Sequence, residues 1–241
     1  MTQTSPTRPG LIREFTKIIT KVSVPYHEPK AVVLRRRIVV ALVLVIGAAV
    51  LGFMHTKQPG EPAFYWLSLL LGAIWAVGAL MSGPLHLGVV RFRGRNERPV
   101  FTGTGVGLVL GGFFILGALA VQHIPVLADG VVGVLEYTTQ ISWRLVVLIA
   151  IVNAIAEEMF FRGALFSAFG RHQPMVLSTL FYVVAMMAAG NPTVGVAALV
   201  VGTVCAIERR ATGGVLAPVL THLVWGLMMV LALPPIFGMS T

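Results

Sequence analysis

The sequence predicts an all-α membrane protein, a polytopic helix bundle of about seven transmembrane helices. Three observations lead to this fold class. Of the 241 residues, 56% are hydrophobic and only 11% are charged, whereas about a quarter of the residues of a soluble domain are charged. The mean hydropathy is +0.87. Apolar runs near the length that crosses a bilayer follow one another, and they leave little chain for a separate soluble domain.

Seven apolar runs are candidate spans, separated by shorter polar segments. The fifth and sixth runs are short for a bilayer, so each is either tilted or partly buried in the bundle. The segment Val126–Gln140 is a candidate interfacial helix. In chain order the predicted spans are Ile38–Met54, Ala63–Met81, Phe101–Val121, Trp143–Gly170, Met175–Ala189, Thr193–Ile207 and Val215–Leu233.

The first 37 residues form a basic tail with one amphipathic stretch. Its apolar residues recur at helical spacing while charged residues occupy the other face, which is typical of a helix lying on an anionic leaflet. A partly ordered tail with chance periodicity is the alternative. We therefore predict a cytoplasmic tail at 1–37 and a transmembrane domain at 38–241. The apolar residues of the stretch are Leu11, Ile12, Phe15, Ile18, Ile19 and Val22.

Basic residues predict how the spans are oriented in the cell membrane. Eight lie before Ile38, and only Lys57 and Arg144 fall on the opposite side. Because cytoplasmic loops carry the excess of Lys and Arg, we expect a cytoplasmic amino terminus, an external carboxyl terminus and an odd number of spans. This topology also explains the net charge of +9, so membrane lipids and not nucleic acid are the expected partners. The remaining basic residues are Arg91, Arg93, Arg95, Arg98, Arg162, Arg171, Arg209 and Arg210.

Three glycines in the third predicted span, Gly103, Gly107 and Gly111, are spaced by four residues. Their bare faces align on a helix and allow another helix to approach closely. The neighbour belongs either to this chain or to another one. We favour internal packing, because the bundle must satisfy its own contacts first.

Two adjacent carboxylates, Glu157 and Glu158, lie inside the fourth predicted span. A charged group in hydrocarbon costs roughly 2.5 to 3.5 kcal/mol on insertion scales, so by default it marks a functional site. Glu158 and Arg162 are four residues apart and pair on one helix face. Glu157 points about 100° away, on the face of Asn153, which can hydrogen-bond it. Glu157 is therefore the carboxylate without a cation on its own helix.

His222 lies in the last predicted span at a depth of roughly 12 Å, which overlaps the depth of Glu157. A carboxylate and an imidazole that meet there can activate a water, with the carboxylate as general base. Glu157 and His222 are also candidate metal ligands, with zinc as the cofactor hypothesis. The lone Cys205 excludes an internal disulfide and a cysteine metal cluster. A purely structural polar network explains these residues equally well.

The run Glu157-Glu158-Met159-Phe160-Phe161-Arg162-Gly163 resembles the Glu-Glu-x-x-x-Arg-Gly signature of the CAAX protease and bacteriocin-processing family of intramembrane proteases. Residues 209–222 are similar to the late segment of that family, in which a basic turn with Thr-Gly leads to a helix bearing a histidine. The resemblance lies within residues 143–229, and it identifies 143–233 as the family-like core.

This resemblance implies an all-helical fold with an active-site cavity open to the cytoplasm, and hydrolysis of peptide bonds. Carried over to this chain, Glu157 is the base that activates water, and His222 is the oxyanion or metal partner. Glu158 and Arg162 support them, which completes the set of four candidate catalytic residues.

Two positions depart from the family pattern. The histidine expected in Phe-x-x-x-His is Ala185, and the asparagine expected in His-x-x-x-Asn is Gly226. Neither replacement has a side chain that donates or accepts a hydrogen bond. Losing one oxyanion donor typically lowers the rate by about 10²- to 10³-fold. A tight zinc site with three protein ligands is not expected from the donors that remain.

Three functions follow as hypotheses. The first is a CAAX-protease-like intramembrane peptidase acting on a peptide or protein at the membrane. The second is an inactive family member that serves as an accessory or binding subunit of a membrane complex, since Ala185 and Gly226 remove catalytic groups. The third and weakest is a proton-coupled transporter, for which no inverted repeat is visible in the spans.

Overall fold

The computed structural model describes residues 28–92 and 95–239, and these residues are mostly helical, as predicted. Four helices and a short β-hairpin precede the long helix that carries the acidic pair, and three further helices follow it. In chain order the elements are α1 (Lys30–Met54), α2 (Pro62–Ser82), β1 (Val90–Phe92), β2 (Arg95–Glu97), α3 (Val100–Val121), α4 (Pro125–Thr139), α5 (Trp143–Glu158), a π-helical segment (Met159–Leu165), α6 (Phe166–Phe169), α7 (Pro174–Met187), α8 (Pro192–Thr212) and α9 (Leu216–Ile236).

Local sequence explains where many of these helices begin. Proline is the first residue of α2, α4, α7 and α8, a position where its missing N–H costs nothing and its φ suits the helix. The side chain of Asn191 caps α8 by accepting a hydrogen bond from the Thr193 backbone N–H at 2.9 Å. Gly213 ends that helix with φ 75°, in the left-handed region that glycine favours.

Five of the described helices are long and apolar enough to cross a membrane: α1, α2, α3, α8 and α9. The chain is therefore a multi-pass helical membrane protein, but this criterion alone does not reach the predicted count of seven. The fourth predicted span is divided among α5, the π-helical segment and α6, which follow one another without a loop. The fifth coincides with α7, which has only 14 residues.

Helix α1 begins at Lys30, eight residues before the predicted span, so Lys30 and the three consecutive arginines at 35–37 belong to the same helix. The amphipathic stretch predicted at residues 11–22 lies outside the described residues. The segment predicted as a candidate interfacial helix is helical: α4 covers nearly the predicted range. The predicted loop after α2 contains an unpredicted β-hairpin, in which Val90 pairs with Glu97. Strands of three residues are too short for an alternating pattern to reveal them.

Large aromatic side chains fill the centre of the bundle. Trp75 of α2 is fully buried, and its ring lies 4.6 Å from that of Phe160 and 5.1 Å from that of Phe161. Both phenylalanines belong to the π-helical segment and are fully buried as well. The acidic pair is therefore followed directly by a helical segment that is packed into the aromatic core.

The glycine stripe of α3 packs against α9 of the same chain, as favoured above. A Cβ on Gly103 would lie 2.6 Å from the Ala217 carbonyl oxygen, and one on Gly107 would lie 2.8 Å from that of Thr221. The Thr221 hydroxyl donates to the Gly103 carbonyl at 2.9 Å. The stripe thus brings α3 against the helix that bears His222.

Gly103→Ala is expected to destabilise the fold by about 1 to 3 kcal/mol, the usual cost of overpacking a close contact. The added methyl meets backbone atoms of α9, which cannot turn aside. Gly105→Ala is the matched control, because a Cβ there has no atom within 4 Å. Thermal unfolding of both variants in detergent measures the difference, and equal melting temperatures would contradict the packing role.

Candidate active site

A π-helical segment interrupts the long helix immediately after the acidic pair. It covers Met159–Leu165 and includes Arg162. A π-helix contains an additional residue per turn and often occurs at functional sites. Because the additional residue rotates everything that follows, it sets the direction of Arg162 relative to α5.

Glu158 is the centre of a fully buried polar network. Its Oε1 accepts a hydrogen bond from Arg162 Nη1 at 3.0 Å, and lies 2.9 Å from His222 Nδ1. Glu158 and Arg162 have no exposed surface, and His222 is 7% exposed. The predicted meeting of the two helices is therefore present, but the imidazole contacts Glu158 and not Glu157.

Glu157 has a different neighbour. Its Oε2 accepts a hydrogen bond from the Tyr182 hydroxyl of α7 at 2.8 Å. The side chain is only partly buried, and it interacts electrostatically with His222. The two adjacent carboxylates thus have separate surroundings: one is enclosed in an ion pair, and the other is hydrogen-bonded by a tyrosine and partly accessible.

The predicted hydrogen bond between Asn153 and Glu157 is wrong. The Asn153 amide donates instead to Ser68 Oγ of α2 and to the Ile149 carbonyl, both at 3.1 Å. Asn153 shares a helix face with Glu157, but its amide donates to a serine of the adjacent helix and to its own preceding turn. Helical spacing predicts which residues share a face, but it does not predict which side chains of a neighbouring helix will bind them.

Arg162 is fixed from several sides. Its guanidinium lies 4.5 Å from the centre of the Tyr182 ring, an arrangement in which the cation is attracted by the π-electrons. Its backbone carbonyl accepts a hydrogen bond from Arg209 Nε of α8 at 2.7 Å. The π-helical segment is therefore joined to α7 and α8 by contacts of the same residue.

Several buried polar atoms of the described residues have no hydrogen-bond partner. Glu158 contributes Oε2, Arg162 contributes Nε and Nη2, and Glu208 contributes both side-chain oxygens. The Thr221 hydroxyl interacts with Glu208, but it already donates to Gly103. Buried polar groups normally bind a partner or ordered water. The interior around the acidic pair therefore contains polar atoms that the described side chains do not satisfy.

The two positions that depart from the family pattern have opposite surroundings. Ala185 is 2% exposed and lies in the main hydrophobic cluster. Gly226 of α9 has open space instead, because a Cβ there would have no atom within 4 Å. A larger side chain is therefore tolerated at 226 more readily than at 185.

The donors present do not fit a tight zinc site. Catalytic zinc normally has three protein ligands, and no group of three His, Cys, Asp or Glu residues that could hold a metal occurs in residues 28–92 and 95–239. The proposed ligands Glu157 and His222 supply two. Glu158 is occupied by Arg162 and His222, which leaves it poorly placed to act as the third.

Three site residues were not predicted from sequence: Tyr182, Arg209 and Glu208. Tyr182 was detectable, because it is a polar side chain in an apolar helix, three residues before Ala185 and on a similar face. Arg209 was counted as a topology signal and as the start of the family-like segment 209–222, but not as a site residue. Glu208 precedes it, and no spacing rule connects it to the acidic pair.

Comparison with known proteins supports the resemblance in the part of the chain that forms this site. Residues 139–228 match the family model described as type II CAAX prenyl endopeptidase Rce1-like. The matched range contains the acidic pair, Tyr182 and His222. Comparisons with curated proteins and with solved structures find no match.

Proposed function

We propose that this chain is a member of the CAAX protease and bacteriocin-processing family, to which the Rce1-like match at residues 139–228 points, and that it is an intramembrane peptidase that uses Glu157 to activate water. The observation that carries this proposal is that the two carboxylates differ in burial and in hydrogen-bond partners. Glu158 is enclosed by Arg162 and His222, whereas Glu157 is partly accessible and has no hydrogen bond to its Oε1 from any described residue. Glu157 is thus the carboxylate available to a reactant.

In this reaction the Glu157 carboxylate removes a proton from water as the water oxygen attacks the carbonyl carbon of the peptide bond. The resulting tetrahedral oxyanion needs a hydrogen-bond donor. His222 can supply one when its ring is protonated, since Nδ1–H then donates to Glu158 and Nε2–H remains for the oxyanion. Glu157 then passes the proton to the departing amine as the carbon–nitrogen bond breaks. Arg162 and His222 both bind Oε1 of Glu158, so this carboxylate holds the imidazole in orientation.

Zinc has no step in this mechanism, because Glu157 and His222 alone do not make a catalytic zinc site. If the metal binds these two residues, it would polarise the substrate carbonyl or the water. The proposal for the described residues is therefore metal-independent general-base hydrolysis.

We also propose seven spans, with α5 through α6 and α7 crossing the bilayer in addition to the five long helices. An odd count puts the two termini on opposite sides of the cell membrane, and the distribution of basic residues favours a cytoplasmic amino terminus and an external carboxyl terminus. The substrate is then a peptide or protein held at the membrane, since an active site between helices is reached from the lipid or from its cytoplasmic edge.

The full-length protein reconstituted in lipid nanodiscs provides the test. It would be incubated with a detergent-extracted membrane proteome, and mass spectrometry would identify newly formed peptide termini. New termini that appear with the natural protein and are absent with Glu157→Gln support the proposal. Identical termini in both samples would reject it, because the cleavage would not depend on the proposed base.

An accessory function is the second candidate, and Ala185 and Gly226 favour it because they lack the polar groups that the family uses there. This candidate predicts no cleavage and a partner of fixed stoichiometry after purification in mild detergent. A peptidase that purifies as a solitary monomer would contradict it.

Gly226→Asn distinguishes the two candidates. If the protein is a peptidase, the added amide restores an oxyanion donor, and the cleavage rate should rise by about 10²-fold. The open space at Gly226 admits the side chain. Gly112→Asn is the matched control, because its position on α3 is equally open and is not part of the site. A rate unchanged by Gly226→Asn would contradict this role for position 226.

A further inference from the structure

The hydrogen bond from Tyr182 makes the two oxygens of the Glu157 carboxylate different, because only one of them has a partner. The Tyr182 hydroxyl donates to Oε2 at 2.8 Å, so this oxygen is anchored. No described residue hydrogen-bonds Oε1. A carboxylate held through one oxygen keeps a defined direction for the other, which is what a general base requires. A carboxylate that rotates freely would point its free oxygen toward the water for only part of the time.

The Tyr182 ring is itself immobilised. It packs edge-on against Phe161, with ring centres 4.8 Å apart, and its face lies 4.5 Å from the Arg162 guanidinium. Gly202 of α8 gives it room, since a Cβ there would lie 3.0 Å from Tyr182 Cδ1 and 3.0 Å from Arg162 Nη2. The hydroxyl therefore reaches Glu157 from a ring that three helices hold in place.

Tyr182 also occupies the region where the family pattern expects an imidazole. It precedes Ala185 by three residues on α7, so the two side chains lie on similar faces of that helix. Ala185 is buried in the apolar cluster and contributes no polar atom. The tyrosine hydroxyl is the group that α7 presents to the acidic pair in the absence of a histidine.

From these contacts we infer that Tyr182 is a positioning residue: its hydroxyl orients the water-activating carboxylate of Glu157 in place of the imidazole missing at position 185. The inference rests on the proposed function for its catalytic meaning, but the orientation itself does not need a substrate to be measured. Tyr182 acts through Glu157 and requires no bond to the reactants.

Carbodiimide labelling tests the orientation independently of activity. Dicyclohexylcarbodiimide is apolar and modifies protonated carboxyl groups within membrane proteins, and peptide mass spectrometry locates the modified residue. Tyr182→Phe keeps the ring and removes only the hydroxyl. Without this donor Oε2 is open to the reagent, so labelling of Glu157 at pH 7 should rise about three- to tenfold, as expected for one lost hydrogen bond.

Tyr65→Phe is the matched control. Its hydroxyl is also in a buried side chain, but it donates to the Tyr137 carbonyl at 3.0 Å, away from the acidic pair. Labelling of Glu157 should not change in this variant. If Tyr182→Phe fails to fold, Gly202→Ala displaces the same ring and should raise labelling in the same direction.

The outcomes separate this inference from the proposed function. Increased labelling of Glu157 in Tyr182→Phe, together with slower cleavage and an altered pH profile, supports both. Increased labelling in a protein that cleaves nothing supports the positioning of Glu157 and rejects the peptidase. Labelling that is equal in the natural protein, Tyr182→Phe and Tyr65→Phe would overturn the inference, whatever the activity.

Discussion

Glu157→Gln is expected to lower peptide cleavage by about 10²- to 10⁴-fold, the contribution that a general base typically makes. The amide has the size of the carboxylate but cannot accept a proton from water. Its carbonyl oxygen can still accept the hydrogen bond from Tyr182, so the fold should be preserved. Rates measured on one identified substrate at equal protein concentration give the factor directly.

Glu136→Gln is the control for this variant. It makes the same chemical change on α4, at an exposed residue outside the site, and should leave cleavage unchanged. Loss of activity confined to Glu157→Gln would assign the base to this carboxylate. Equal activity in all three proteins would show that cleavage has another origin, and the accessory function would then account better for the missing groups.

Arg162→Met is expected to destabilise the protein by about 3 to 5 kcal/mol, since removing one partner leaves a fully buried charge without compensation. The partner is Glu158, which has no exposed surface and accepts from Arg162 at 3.0 Å. The substitution also removes the cation that lies over the Tyr182 ring. Thermal unfolding in detergent, followed by circular dichroism, measures the loss.

The double variant Glu158→Gln, Arg162→Met separates the ion pair from simple packing. Because it removes both charges, it should be clearly more stable than Arg162→Met alone. Arg171→Met is the matched control: it removes an exposed arginine of the loop after α6 and should cost little. A double variant no more stable than the single one would show that the arginine contributes through its packing and not through its charge.

Composition and local spacing were sufficient to predict the general architecture. The apolar runs predicted the helices, because a chain in lipid must satisfy its backbone hydrogen bonds within each segment. The pairing of Glu158 with Arg162 was predicted for a similar reason: residues four apart on one helix are neighbours whatever surrounds them. These relations are local, so they are readable without knowing how the helices pack.

The choice between the two carboxylates could not be made in this way. Glu157 and Glu158 differ by about 100° around the helix, so the rotation of one helix against α9 decides which of them meets His222. That rotation depends on the glycines of α3, on the aromatic core around Trp75 and on the π-helical segment after Glu158. None of these contacts is visible in the spacing of the polar residues.

By itself, the sequence determined that this protein is a bundle of membrane helices with an acidic pair and an arginine inside it, because these features arise from composition and from neighbours along one helix. Only the tertiary structure decided that His222 binds Glu158, that Tyr182 binds Glu157 and that Asn153 binds Ser68. The physical reason is that each of these contacts joins two helices, whose mutual rotation is set by packing throughout the bundle.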